Sequence, residues 1–141
     1  GSGAVIDRRP VTHVPLVGDV AAGSGVLAAQ NVEEVMPLPS DLTGEGELFM
    51  LRVRGDSMVE AGIFDGDFVV AKKQTTADSG EIVVAGIPGD EATVKTYIEE
   101  GSDIILSPSN SSMSPMRFSP SEHSEGQVLI FGKVVTVLRK I

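Results

Sequence analysis

The stretch LRVRGDSMVEAGIFDGDFVV, residues 51–70, breaks off an apolar, strand-like run to place Ser57 between Asp56 and Met58, and strand material resumes at Phe68. A serine at such a break is either a plain turn residue or a nucleophile held on a rigid edge. Around it, short β-branched and apolar runs recur: ELFMLRVRG, DFVVAKK, EIVVAGI, EATVKTYIEE, DIILSP and VLIFGKVVTVLRKI. Gly and Asp clusters such as Asp65-Gly66, Ser79-Gly80, Gly89-Asp90 and Gly101-Ser102 separate them, which reads as strands joined by tight turns. Only SMVEAGIF, together with LAAQNVEEV, has room for a helical turn or two. The expected class is therefore mainly β, an SH3-like barrel or a set of coiled antiparallel sheets with one or two short helical turns. Residues 1–25, interrupted by Pro10, Pro15, Gly18, Gly23 and Gly25, read as a linker or exposed loop, and the Ser- and Pro-rich residues 107–127 as a long surface loop.

With 141 residues and 41% hydrophobic content, the chain fits one domain with a single core. Its 11 Lys and Arg against 20 Asp and Glu give a net charge of −9, a field that repels phosphate backbones, so this chain alone is not expected to grip nucleic acid. The absence of cysteine excludes disulfides, thiolate nucleophiles and zinc-thiolate clusters, and favours an intracellular location. The longest apolar runs fall far short of the roughly 20 residues of a membrane span, and nothing reads as a signal peptide. The opening Gly-Ser-Gly, residues 1–3, reads as a cloning remnant; residues 4–36 are then expected to be a linker region and 37–141 the β-rich domain.

The residue inventory limits the chemistry. His13 and His123 both fall in loop-like segments, so a Ser-His-Asp triad would need two flexible regions to converge on Ser57. The G-x-S-x-G, S-x-x-K and H-E-x-x-H patterns are missing, and no phosphate-cradling glycine loop occurs. The Asp65-Gly66-Asp67 tripeptide has a hairpin character and no calcium-loop spacing; no metal or cofactor is expected. What remains for base catalysis is a lysine. An exposed lysine has a pKa near 10.4, and making one neutral near pH 7 takes roughly 4 to 5 kcal/mol of disfavoured charge, which an apolar strand environment can impose. Lys95 is the candidate, because strand alternation puts Thr93, Lys95 and Tyr97 on one face in mid-strand. The plain alternative is a solvated lysine on an outer face. Lys72, Lys73, Lys133 and Lys140 stand near charged or terminal positions.

RGDSM followed by GIFDGDFVV, EATVKTY with its lysine 38 positions after the serine, LSPSN, and the closing FGKVVTVLRKI together resemble the catalytic domain of LexA repressors. The front segment VPLVGDVAAGSG is similar to the stretch in which that family cuts itself, with Val20, Ala21 and Ala22 on the acyl side and Gly23 on the amine side. Of three Ala-Gly pairs, at 22–23, 61–62 and 85–86, the first alone lies in this context. The resemblance runs from about Pro10 to Ile141 and carries the fold shared by LexA and signal peptidases. The Ser- and Pro-rich stretch from Ser119 to Gln127 departs from the family in its length.

The resemblance implies a serine endopeptidase acting on itself: neutral Lys95 takes the Ser57 hydroxyl proton as Ser57 attacks the Ala22 carbonyl, then protonates the leaving Gly23 amine. The backbone N–H groups of Ser57 and Asp56 are the expected oxyanion donors, each worth about 3 to 4 kcal/mol in the transition state. Small side chains at Ala21, Ala22 and Gly23 let the segment enter a narrow cleft. The family also implies a bacterial cytoplasmic repressor of DNA-damage genes, a homodimer paired through its last strand, and a RecA filament on single-stranded DNA that favours the docked cleavage loop. Moving such a loop from about 1% to 99% docked takes roughly 10⁴ in differential affinity. Operator DNA is read, by the same implication, through an N-terminal domain absent from this chain, and no membrane or small-molecule ligand is expected. Two alternatives stay open: a UmuD-like polymerase accessory protein with the same dyad, and a non-catalytic β-rich interaction module. The Arg54-Gly55-Asp56 tripeptide abuts the serine, which argues against an adhesion role.

Overall fold

The computed structural model describes residues 9–18, 31–87, 92–119 and 128–141. Among these residues nine strands form one sheet: β1 (Val11–Val17), β2 (Val32–Pro39), β3 (Leu48–Arg52), β4 (Phe68–Lys73), β5 (Ile82–Gly86), β6 (Ala92–Glu100), β7 (Asp103–Ser107), β8 (Met116–Phe118) and β9 (Leu129–Leu138). They are ordered β2-β1-β3-β4-β9-β5-β6-β7-β8 and are antiparallel except for the short parallel contact of β1 with β3. A four-residue helix, α1 (Ser40–Thr43), and a 3-10 turn at Val59–Ala61 complete the described elements. The mainly β class expected from the runs of β-branched residues holds, with the 3-10 turn inside SMVEAGIF.

The central strands are buried on both faces. Along β3 and into its continuation, Phe49, Leu51 and Val53 enter one cluster while Leu48 and Met50 enter another, and β4 repeats this with Val69 and Ala71 against Val70. The period-2 alternation that would give one wet face in a flat sheet thus feeds two apolar layers. The first cluster also takes Val84 of β5, Val94 of β6 and Phe131 of β9, so the sheet coils around it. A third cluster, Val83, Ala85, Tyr97 and Leu106, fills the outer side of β5–β7. Gly132 lets β9 pass over Phe49: a Cβ there would lie 2.7 Å from the Lys72 carbonyl oxygen and 2.8 Å from the Phe49 ring.

Three local expectations are corrected. Residues 11–17 form a strand, where the prolines and glycines read as a loop, and residues 32–35 of LAAQNVEEV are strand, not helix. Prolines are tolerated because β2 is an edge strand and β1 meets β3 only at Leu16 and Val17, so Pro15, Pro37 and Pro39 remove no ladder bond from a doubly paired position. Burial of Val14, Leu16 and Val17 holds the hairpin to the body. The Ser- and Pro-rich segment contains β8, paired with β7 through Ile104, Ile105 and Leu106; residues 120–127 lie outside the described residues. Among the described residues no helix is long and apolar enough to cross a membrane.

Candidate active site

After β3 the chain leaves the sheet through Val53, whose N–H donates to the Asp67 carbonyl (2.7 Å), and turns at Gly55. Gly55 has φ +86°, a conformation that favours glycine. The Gly55 N–H donates to Asp65 Oδ1 at 2.8 Å. Ser57 follows, and Met58, only 1% exposed, roots the turn in the central cluster. The Arg54-Gly55-Asp56 tripeptide is therefore the entry to this turn.

Lys95 lies on β6 opposite Val83 of β5. Pairing of β6 with β7 begins one residue later, at Thr96, so among the described residues Ala92–Lys95 has a strand partner on one side only. Strand order β3-β4-β9-β5-β6 carries Lys95 back to Ser57: Nζ is 3.1 Å from Ser57 Oγ and donates to Thr93 Oγ1 at 2.6 Å. Lys95 is only 7% exposed, which overturns the plain alternative of a solvated strand lysine. Burial pushes the Lys95 amine below the usual lysine range, with no carboxylate among the described residues acting against it. Lys73 and Lys133, by contrast, are ion-paired with Glu47 and Glu81.

Both side chains open into a cleft of about 360 Å³, whose lining includes Val17 and Gly18 at the end of β1, Val53, and Met113 from the segment joining β7 to β8. The Gly18 N–H donates to the Asn31 carbonyl at 2.8 Å, closing the base of residues 19–30 beside the cleft. Val20, Ala21, Ala22 and Gly23 lie outside the described residues. His13 is on β1 and is not among the cleft-lining residues; His123 lies outside the described residues.

Two features escaped the sequence reading. Thr93 shares the Lys95 face by alternation, so its nearness was legible, but its bond to Nζ was not assigned. The β7–β8 segment, read as a surface loop, grips the serine turn: Ser109 N–H donates to the Ser57 carbonyl (2.7 Å) and Asn110 Nδ2 to the Asp56 carbonyl (2.9 Å). No local signal near Asn110 announces this contact across 54 positions.

Comparison with known proteins agrees with the geometry. The family model described as Peptidase S24-like matches residues 15–135. A LexA repressor of Corynebacterium efficiens is 52% identical over 130 residues, 92% of this chain and 53% of the relative. LexA repressor 2 of Nocardia farcinica is 52% identical over 134 residues (95% and 52%), and a LexA repressor of Halalkalibacterium halodurans 47% identical over 130 residues (92% and 59%). The chain thus spans about half the length of the curated relatives it matches. A buried lysine beside a half-buried serine in a cleft, on a β scaffold that the family model matches over residues 15–135, places the chain in the Peptidase S24-like family.

Proposed function

We propose that the chain is the self-cleaving and dimerisation domain of a LexA-type repressor, a serine endopeptidase whose Ser57-Lys95 dyad cuts its own Ala22-Gly23 bond and so ends repression. The observation that carries this is the 3.1 Å approach of Lys95 Nζ to Ser57 Oγ at a site where the amine is desolvated and, among the described residues, has no carboxylate partner. A neutral amine accepts the hydroxyl proton as Oγ bonds to the Ala22 carbonyl carbon. The oxyanion is held by the N–H groups of Ser57 and Asp56. Lys95 then delivers the proton to the Gly23 nitrogen as the C–N bond breaks, and water hydrolyses the remaining ester by the same route.

Chain geometry supports this assignment. Ala22 is four residues beyond Gly18, which lines the cleft, and four residues reach at most about 14 Å. The β1–β2 pairing gathers the two ends of residues 19–30, which lowers the closure cost from about 3 kcal/mol for a free 34-residue tether to about 2 kcal/mol. The side of Ala92–Lys95 that has no strand partner among the described residues offers an edge for a docked strand. Control then rests on docking, which a RecA filament on single-stranded DNA favours by binding the docked form better.

The C-terminal half of β9 fits the dimer. From Val134 to Leu138 it pairs with β4 alone among the described residues, and Val135 and Val137 are exposed, so a second copy can add along that edge. Operator DNA is contacted in this reading by a DNA-binding domain of the whole protein, in the bacterial cytoplasm.

The test is incubation of the purified chain over pH 6 to 11 with mass spectrometry of the products. A product beginning at Gly23, formed at a rate that rises with pH and does not change on dilution, is expected. Ser57→Ala and Lys95→Ala should be inert; a Lys95→Ala protein that cuts at the unsubstituted rate refutes the dyad.

A further inference from the structure

We propose that Asn110 is a positioning residue for the oxyanion hole, fixing the direction of the Ser57 N–H by gripping the peptide that carries it. This rests on the Ser57-Lys95 reading above. A peptide unit is planar, so the Asp56 carbonyl and the Ser57 N–H turn together. The Asp56 carbonyl accepts from Asn110 Nδ2 at 2.9 Å. Its other bond, from Val59 N–H, is long at 3.4 Å. The next peptide is gripped in the same way, since the Ser57 carbonyl accepts from Ser109 N–H at 2.7 Å. Two successive peptides of the serine turn are thus held by two successive residues of a segment 52 to 54 positions away.

The grip is itself oriented. Asn110 Oδ1 accepts from Ser112 N–H (3.0 Å) and Ser112 Oγ (2.7 Å), which turns Nδ2 toward Asp56. Glu60, just past the serine, returns the contact: its N–H donates to the Ser109 carbonyl at 2.8 Å and its Oε2 accepts from Ser111 N–H at 2.7 Å. Without the Asn110 donor the Asp56 carbonyl is left with the long Val59 bond, so the Asp56–Ser57 peptide turns more easily, and a rotated peptide takes the N–H away from the developing oxyanion. Losing one such donor costs about 10²- to 10³-fold in rate, and loss of aim alone part of that.

The experiment compares first-order self-cleavage of Asn110→Asp, Asn110→Ala and Ser112→Ala in this chain. Asn110→Asp keeps an acceptor for Ser112 and loses the donor to Asp56; Ser112→Ala disturbs the opposite end. The two Asn110 variants should slow by about 10- to 100-fold, and Ser112→Ala, which removes one of the two bonds that orient Asn110, should slow in the same direction but by less. Asn110→Ala should keep the midpoint of the pH–rate profile, since Asn110 does not touch Lys95. Labelling of Ser57 by a fluorophosphonate, in which Oγ bonds to phosphorus and fluoride leaves, should slow in parallel, because it needs the same donor but no docked loop. The inference is overturned if Asn110→Ala cuts or labels at the unsubstituted rate, if its pH midpoint moves, or if it melts more than about 10 °C lower, which makes Asn110 a residue of general stability. It fails separately from the dyad: in that case Ser57→Ala and Lys95→Ala remain inert while Asn110→Ala cuts normally.

Discussion

Replacing Thr93 by valine probes the lysine directly. Thr93 Oγ1 accepts from Lys95 Nζ at 2.6 Å, and valine keeps the β-branched shape while removing the acceptor. A hydrogen bond to a charged group is worth about 1.5 to 3 kcal/mol and one between neutral groups about 0.5 to 1.5. Its loss therefore disfavours the ammonium over the free amine by about 1 to 1.5 kcal/mol, or roughly one pH unit at 1.36 kcal/mol per unit. Burial already lowers the Lys95 pKa, and the substitution acts in the same direction. The rising limb of the self-cleavage profile should move to lower pH by about one unit. The plateau should fall as well, because the acceptor that leaves the nitrogen lone pair turned toward Ser57 is gone. The assay is the single-exponential loss of intact chain from pH 5 to 11. A limb that stays in place, or moves to higher pH, refutes the assignment of Lys95 as the titrating base.

Lys95→Met should abolish cleavage and raise stability to urea at neutral pH, because the folded state pays to keep the ammonium buried. With the folded pKa lowered from 10.5, that penalty is greatest below the folded pKa and is relieved as pH rises toward 10.5. The gap between variant and parent should thus narrow in alkali, and a widening gap contradicts the burial argument. Asp67, 2% exposed, is held by Arg139 Nε and the second guanidinium nitrogen at 2.7 Å each and by Phe64 N–H at 2.8 Å. These bonds, that of Arg139 foremost, lower its pKa from 3.8. Asp67→Asn should cost about 2 to 3 kcal/mol near pH 7. That difference should vanish as pH falls below 3.8 and through the folded pKa, and a difference that persists at pH 2 is the adverse result. Gly132→Ala drives a methyl into a backbone carbonyl and the fully buried Phe49 ring, at a cost of about 2 to 3 kcal/mol. At this chain length the melting temperature should fall by roughly 7 to 10 °C in calorimetry; an unchanged value sinks the packing argument.

The residues themselves determined much of this protein. Alternating or continuous apolar runs marked β3 to β7 and β9, because burial of β-branched side chains is a local property of the pattern. Gly55 and Ser57 at a break in one run, and Lys95 in the middle of another, were legible for the same reason. Tertiary structure alone decided that the two meet at 3.1 Å, since their approach depends on the strand order β3-β4-β9-β5-β6, which no window of sequence contains. It also decided the desolvation of Lys95, which is a sum over neighbours from several strands. The β1–β2 hairpin was hidden because prolines read locally as breakers, whereas an edge position with one open side accepts them. Asn110 was hidden for a related reason: a polar residue in a Ser- and Pro-rich stretch acquires its role only when the chain folds its amide against a carbonyl 54 positions away.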